Sequence, residues 1–228
     1  IARAISRAPA HGGMVRPSGR ERGDGSLQNR GLFCTEAPFI QNQIFLLQGF
    51  HSPLQPREYH ALSVLNTIVG DSLSSRLFDV LREQRGLCYS VYSVLSCYEG
   101  EAVWYATAAC DPDKVAPLMT ALVGELDALY RDGVTDAEIA DAKGHLCGEE
   151  VVSSEDSEYL MKRLQKYLSL GFAPAETEEV IAGIRAVEKR DILAAVQELL
   201  RPQNRAALLY GPAPSEKTRR SVCSLLTQ

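Results

Sequence analysis

Residues 74–90 read Ser74-Ser75-Arg76-Leu77-Phe78-Asp79-Val80-Leu81-Arg82-Glu83-Gln84-Arg85-Gly86-Leu87-Cys88-Tyr89-Ser90. Leu77, Phe78 and Leu81 recur at helical spacing and share a face. Gly86 suits the end of that helix, because it can turn left-handed without a Cβ clash. The period then switches to two. Leu87, Tyr89, Val91, Ser93 and Leu95 point one way, and Cys88, Ser90, Tyr92, Val94 and Ser96 the other. A helix from about Ser74 thus runs into a strand over Leu87 to Tyr98. Arg82 ends the helix and Tyr89 opens the strand, so both are expected at one edge of a sheet.

Outward from this stretch the pattern stays legible. Gln43-Ile44-Phe45-Leu46-Leu47-Gln48-Gly49-Phe50 reads as a first strand buried on both faces, broken by His51-Ser52-Pro53. A helix is expected from Pro56, with Tyr59, Leu62, Leu65 and Ile68 on one side and Gly70 at its end. Glu99-Gly100 is a turn, and Ala102 to Cys110 returns as a hairpin partner. Val115, Leu118, Leu122, Leu126 and Leu129 form the next apolar stripe, closed at Gly133. Thr135 and Glu138 are placed as a capping box that opens another helix. Tyr159, Leu160, Leu164, Tyr167 and Leu168 mark one more, closed by Gly171, and short helices follow around Thr177–Ile184 and Lys189–Leu200. Ala206 to Tyr210 is a last strand. Helices and strands are segregated rather than alternating. The expected fold is therefore α+β, two-layer, with a largely antiparallel sheet packed against helices.

Composition narrows the function classes. In 228 residues, 45% are apolar and 23% charged, with a net charge of −5. Six arginines against Glu21 and Asp24 put residues 1–30 at +4, so the rest carries −9. Residues 1–30, rich in Gly, Arg, Pro and Ser, read as a flexible basic linker or ragged N-terminus. Residues 31–228 read as a single α+β domain without metal ligands. An acidic body disfavours nucleic acid, and no apolar run is long enough to span a membrane. Cys34, Cys88, Cys97, Cys110, Cys147 and Cys223 form no Cys-x-x-Cys pair. Their scatter reads as buried thiols in a reducing compartment, with a cytoplasmic location expected; a couple of disulfides in an exported or organellar protein is the alternative.

Direct chemical motifs are scarce. His11, His51, His60 and His145 never fall at the spacing that aligns two metal ligands on a helix. His145 stands about one turn before Glu149 and Glu150, a pattern best read as a solvated helix face. There is no Gly-x-Ser-x-Gly elbow and no phosphate-binding glycine loop.

The 74–90 stretch resembles the C-terminal, non-metal domain of pitrilysin/insulinase-type zinc metallopeptidases, the group that includes mitochondrial processing peptidase. Ser75-Arg76-Leu77-Phe78, Leu81-Arg82-Glu83, Arg85-Gly86-Leu87 and Tyr89-Ser90 carry the resemblance. Tyr59, Ala61-Leu62, Val64-Leu65-Asn66 and Gly70 extend it upstream, and Gly133 to Ile139 with Ala142-Lys143 extend it downstream. It runs from about Gln43 to Tyr210. Asp71-Ser72-Leu73 replaces a more glycine-rich run, Gln84 stands where Lys is frequent, and Cys88 where Ala is common.

The resemblance implies a zinc metalloendopeptidase built from two similar domains that close over an extended peptide. The zinc ligands, His-x-x-Glu-His, belong to the N-terminal catalytic domain, whether upstream on the same chain or on a separate subunit. This chain lacks them, so it holds no cofactor itself and is expected to be inactive alone. By resemblance, Arg82 and Tyr89 match the arginine and tyrosine that the second domain points at the substrate. Elementary physics offers other roles for both. An arginine in a last helical turn complements the helix dipole, and a strand tyrosine packs in a core. The alternative function is a non-catalytic assembly or peptide-binding subunit of the same family. Ser74 or Ser75 is read as a helix cap, and Arg76 as a brace for the interface between the two domains.

Overall fold

A computed structural model describes residues 31–50, 55–98 and 102–226. The expected basic leader 1–30, the break at His51-Ser52-Pro53 and the turn at Glu99-Gly100 lie outside the described residues. The chain order is β1 (Gly31–Glu36), β2 (Asn42–Phe50), α1 (Pro56–Val69), a π-helical turn (Phe78–Gln84), β3 (Ser90–Cys97) and β4 (Ala102–Cys110). There follow α2 (Val115–Asp132), α3 (Asp136–Ser153), α4 (Ser157–Ser169), α5 (Thr177–Ala186), α6 (Lys189–Leu199), β5 (Arg205–Gly211) and α7 (Glu216–Leu226).

The strands make one five-stranded sheet in the order β1-β5-β2-β4-β3. Only the β1–β5 pair is parallel; the others are antiparallel. The α+β expectation holds. Alternation sorts the side chains into two kinds of row. Ile44, Leu209, Ala108 and Val91 share one buried row, and Leu46, Ala207, Ala106 and Ser93 the next. These rows meet the helices: α6 touches β2, α1 touches β3, and α7 lies on β1 and β5.

The opposite face is bare. Gln43, Phe45 and Leu47 of β2 are only half-buried, while Phe33, Tyr92 and Tyr210 are exposed. The expectation that β2 is buried on both faces is therefore corrected. All the helices that touch the sheet share one core on a single side, so alternate residues of β2 have no cover.

Several joints fix the loops around the sheet. Asn66, buried at the end of α1, accepts hydrogen bonds at Oδ1 from Ser93 Oγ and Trp104 Nε1, both at 2.8 Å. Its Nδ2 donates to Asp71 at 3.0 Å. Ser93 N–H donates to the Gly70 carbonyl, and a Cβ on Gly70 would meet Ser93 Oγ at 2.7 Å. Only glycine lets α1 end this close to β3. The Thr135–Glu138 capping box forms as expected. Strand β3 begins at Ser90 rather than Leu87, because Gly86 (φ 57°) and the two residues after it complete the turn out of the π-helical segment. Two elements escaped the sequence reading, β1 and α7.

Candidate functional site

Arg82 sits in the π-helical turn. There Arg85 N–H bonds to the Val80 carbonyl and Leu87 N–H to that of Leu81. Such widened turns are uncommon and frequent at functional sites. Its side chain is 45% exposed, and the guanidinium carbon stands 4.7 Å over the Phe78 ring. The nearest carboxylate oxygen, from Glu83, is 3.6 Å from Nε, too far for a hydrogen bond. Phe78 thus holds the guanidinium by its face and leaves its donors pointing outward.

Tyr89 lies just before β3. Its backbone N–H donates to the Ala109 carbonyl at 3.0 Å, which fixes it at the sheet end. The residue is 60% exposed. Its hydroxyl donates to Asp111 Oδ2 at 3.4 Å, a long bond that a better acceptor would displace. Neither Arg82 nor Tyr89 is packed in the core, so the sequence alternative of a core tyrosine does not apply.

Two neighbours went unnoticed in the sequence. Asp111 follows β4 and faces the start of β3. Lys114 Nζ donates to the Gly86 carbonyl at 3.1 Å and stands 3.9 Å from Asp111 Oδ2. The hairpin register was the available signal, since it pairs Ser90 with Ala109 and so brings Tyr89 and Asp111 to the same end of the sheet. Cys88 lies buried beneath this group. Burial pushes its thiol up to about 11, although the positive charges of Arg82 and Lys114 pull the other way. The fields of those two cations reach the same thiol, so Arg82, Lys114, Asp111 and Tyr89 gather around the segment 86–89.

Other candidates resolve differently. Arg76 does not reach outward. Its guanidinium binds Glu138 and the Gly133 carbonyl inside this unit, a role within the domain that the sequence reading did not assign. No side-chain cap opens the helical turn, and the Ser75 hydroxyl is buried without a partner among the described residues. His145 pairs with Glu149 at 3.5 Å on an exposed helix face. His60 is 4% exposed, and burial lowers its pKa to about 4. Among the described residues no three His, Cys, Asp or Glu side chains are grouped to hold a metal ion, and no helix is long and apolar enough to cross a membrane.

Comparison with known proteins gives the family and the fold. The family model described as the peptidase M16 inactive domain matches residues 33–146. An uncharacterized zinc protease of Mycobacterium tuberculosis is 38% identical over 172 residues, covering 75% of this chain and 39% of that protein. An uncharacterized zinc protease of Bacillus subtilis is 31% identical over 148 residues, 65% of this chain and 36% of its own length. The crystal structure of a peptidase M16 inactive domain from Pseudomonas fluorescens superposes with a TM-score of 0.70. It is 22% identical and covers 81% of this chain and 44% of that one, a likeness that shows the fold. The chain spans about two fifths of the length of the curated relatives it matches. It belongs to the M16 family of zinc proteases, as an inactive domain of that family.

Proposed function

We propose that this chain is the substrate-facing, non-metal half of a zinc metalloendopeptidase, with Arg82 and Tyr89 as its contributions to peptide cleavage. The observation that carries the reading is the exposed Tyr89 hydroxyl, fixed at the sheet end and held only by a 3.4 Å bond to Asp111. A zinc ion in the catalytic half supplies the polarised carbonyl and the activated water. Tyr89 O–H swings from Asp111 to the carbonyl oxygen of an extended peptide and donates to it as negative charge develops there. Asp111 is the ground-state acceptor that keeps the phenol ordered between turnovers. Arg82, stacked on Phe78, donates to a neighbouring peptide carbonyl and adds positive field at the same place. Lys114 donates to the Gly86 carbonyl and so ties the turn to the segment that follows β4. Cytoplasmic location remains part of this proposal and suits the buried thiols Cys88, Cys97 and Cys110.

The test uses this chain assembled with its catalytic half. Tyr89→Phe is expected to lower kcat about 100-fold with KM within roughly threefold, the scale for one lost oxyanion donor. Arg82→Ala is expected to lower kcat and raise KM together. An unchanged kcat in Tyr89→Phe removes the phenol from the mechanism. Unaltered kinetics in both variants favours the non-catalytic assembly or peptide-binding role.

A further inference from the structure

The bare face of the sheet carries a groove of about 830 Å³ at the end where Tyr89 lies. Phe39 and Ile40 of the β1–β2 loop form one wall, with Phe45, Ala109 and Tyr210 completing it. Its lining contains no charged side chain. Phe39 is 53% exposed and Ile40 90%, an arrangement that burial of apolar surface disfavours unless something covers them.

The loop is nevertheless held in shape. Ala37 N–H donates to the Gly211 carbonyl at 3.0 Å, and Asn42 Nδ2 donates to the Pro212 carbonyl at 2.8 Å. The Phe39 ring meets Tyr210 edge-on at 5.3 Å. Gly211 permits this closeness, since a Cβ there would sit 2.5 Å from the Gln41 carbonyl oxygen. Asn42, 1% exposed, alternates with Ile44 toward the helix-covered face, so its side chain anchors the loop from behind while its backbone runs along the groove. A concave, largely apolar, preformed site edged by a few amide side chains, here Gln41 and Gln43, is a common form of ligand pocket.

Its position relative to Tyr89 follows from the register. Ser90 pairs with Ala109, Ala109 with Gln43, and Gln43 with Tyr210. With strands about 4.8 Å apart, the β2 part of the groove lies roughly 10 Å from β3 and Tyr210 roughly 14 Å. An extended peptide advances about 3.3 Å per residue, so that span corresponds to about three or four residues. Ala109 joins the two places, lining the groove while its carbonyl accepts the Tyr89 N–H.

We propose that this groove is a specificity subsite that takes a bulky apolar side chain, aromatic or branched, of the peptide substrate. That side chain stands about three or four positions from the bond at Tyr89. The proposal deepens the reading of Arg82 and Tyr89 as substrate-facing and rests on it. Charge-free walls exclude acidic and basic side chains. The span to Tyr89 is one that a single continuous extended peptide covers.

Fluorescein-labelled heptapeptides of alanine with a single Phe, Lys or Ala at a scanned position provide the test. They are titrated into the chain assembled with its catalytic half, with zinc chelated to stop cleavage. Their cleavage sites are then mapped with zinc restored. The expected result is at least tenfold tighter binding of the Phe peptides, with the preferred Phe about three or four residues from the cut. Phe39→Glu replaces the half-exposed groove wall that meets Tyr210 and is expected to abolish that preference and favour Lys. Equal affinity for the three peptides in the wild type, or a Phe preference that survives both Phe39→Glu and Tyr210→Ser, overturns the subsite. Self-association of the chain that Phe39→Glu disrupts assigns the groove to a second copy and also overturns it. A Phe preference alongside unchanged kcat in Tyr89→Phe preserves the subsite and sinks the catalytic reading; the reverse outcome does the opposite.

Discussion

The Arg76 guanidinium clasps the Glu138 carboxylate through two bonds, Nε to Oε1 at 2.5 Å and Nη2 to Oε2 at 2.9 Å. Arg76 opens the turn that carries Arg82, and Glu138 closes the capping box at the start of α3. One carboxylate thus serves both the helix cap and the turn beneath the candidate site.

Arg76→Ala is expected to destabilise the fold by about 2 kcal/mol, the scale for losing charge-assisted hydrogen bonds in a partly buried place. Urea unfolding at pH 7 measures it. Burial opposes ionisation of Glu138, but the bonds from Arg76 and Thr135 outweigh it and hold its pKa at about 2. The stabilising effect is therefore complete above the ordinary value near 4.5 and fades as pH falls toward 2. The gap between wild type and Arg76→Ala should narrow over that window. A gap that stays constant there would show that the pair is not the source.

His60 imposes a second acid limb. The folded chain keeps this buried imidazole neutral down to about pH 4, whereas the unfolded chain protonates near 6.5. Its contribution is full above 6.5 and declines by at most about 1.4 kcal/mol per pH unit as pH falls toward 4. His60→Leu is expected to show a shallower decline between pH 6.5 and 4. Parallel stability curves for the two proteins contradict this.

Gly183 of α5 faces the same ring. A Cβ there would meet His60 Nε2 at 2.7 Å and Cδ2 at 2.8 Å. In an open helix Gly→Ala gains about 1 kcal/mol, but overpacking costs about 1–3 kcal/mol. Gly183→Ala is expected to lower the urea midpoint. Gly148→Ala, whose Cβ meets nothing within 4 Å in α3, is expected to raise it.

Thiol labelling should separate the cysteines sharply. Burial raises Cys88 to about 11 and Cys97 and Cys110 to about 12, so at pH 8 the thiolate is scarce by about a thousandfold or more. Cys223 is exposed on α7. Iodoacetamide at pH 8, followed by peptide mass analysis, is expected to modify Cys223 early and Cys88, Cys97 and Cys110 only after denaturant is added. Early labelling of Cys110 would mean that the β4 end opens freely.

The sequence made the long periodic pieces plain. The Val115-to-Leu129 stripe and the Thr135–Glu138 box read correctly because each has a strong local signature. The same holds for the Ala102–Cys110 strand. β1 was missed because six residues at a sheet edge, half-buried at best, alternate too weakly to announce a strand. α7 was missed because only Val222 among its eleven residues is buried. The motif itself drew attention to Arg82 and Tyr89. Asp111 and Lys114 carry no local signal, since they join that group only through the pairing of β3 with β4. The bare sheet face was misjudged for a related reason. Phe45 and Leu47 look like core residues in one dimension, and only the one-sided placement of the helices leaves them uncovered.

Because β1 bonds only to β5, the earliest described strand of the polypeptide waits for the latest one. During synthesis at about 5–20 residues per second, some 10–35 s separate the emergence of Glu36 from that of Gly211. Through that interval Gly31–Glu36 lacks its β5 partner, and the seam closes only once Arg205–Gly211 has emerged. A nascent chain stalled before Arg205 would therefore leave the pairing edge of this segment open to chaperones or proteases.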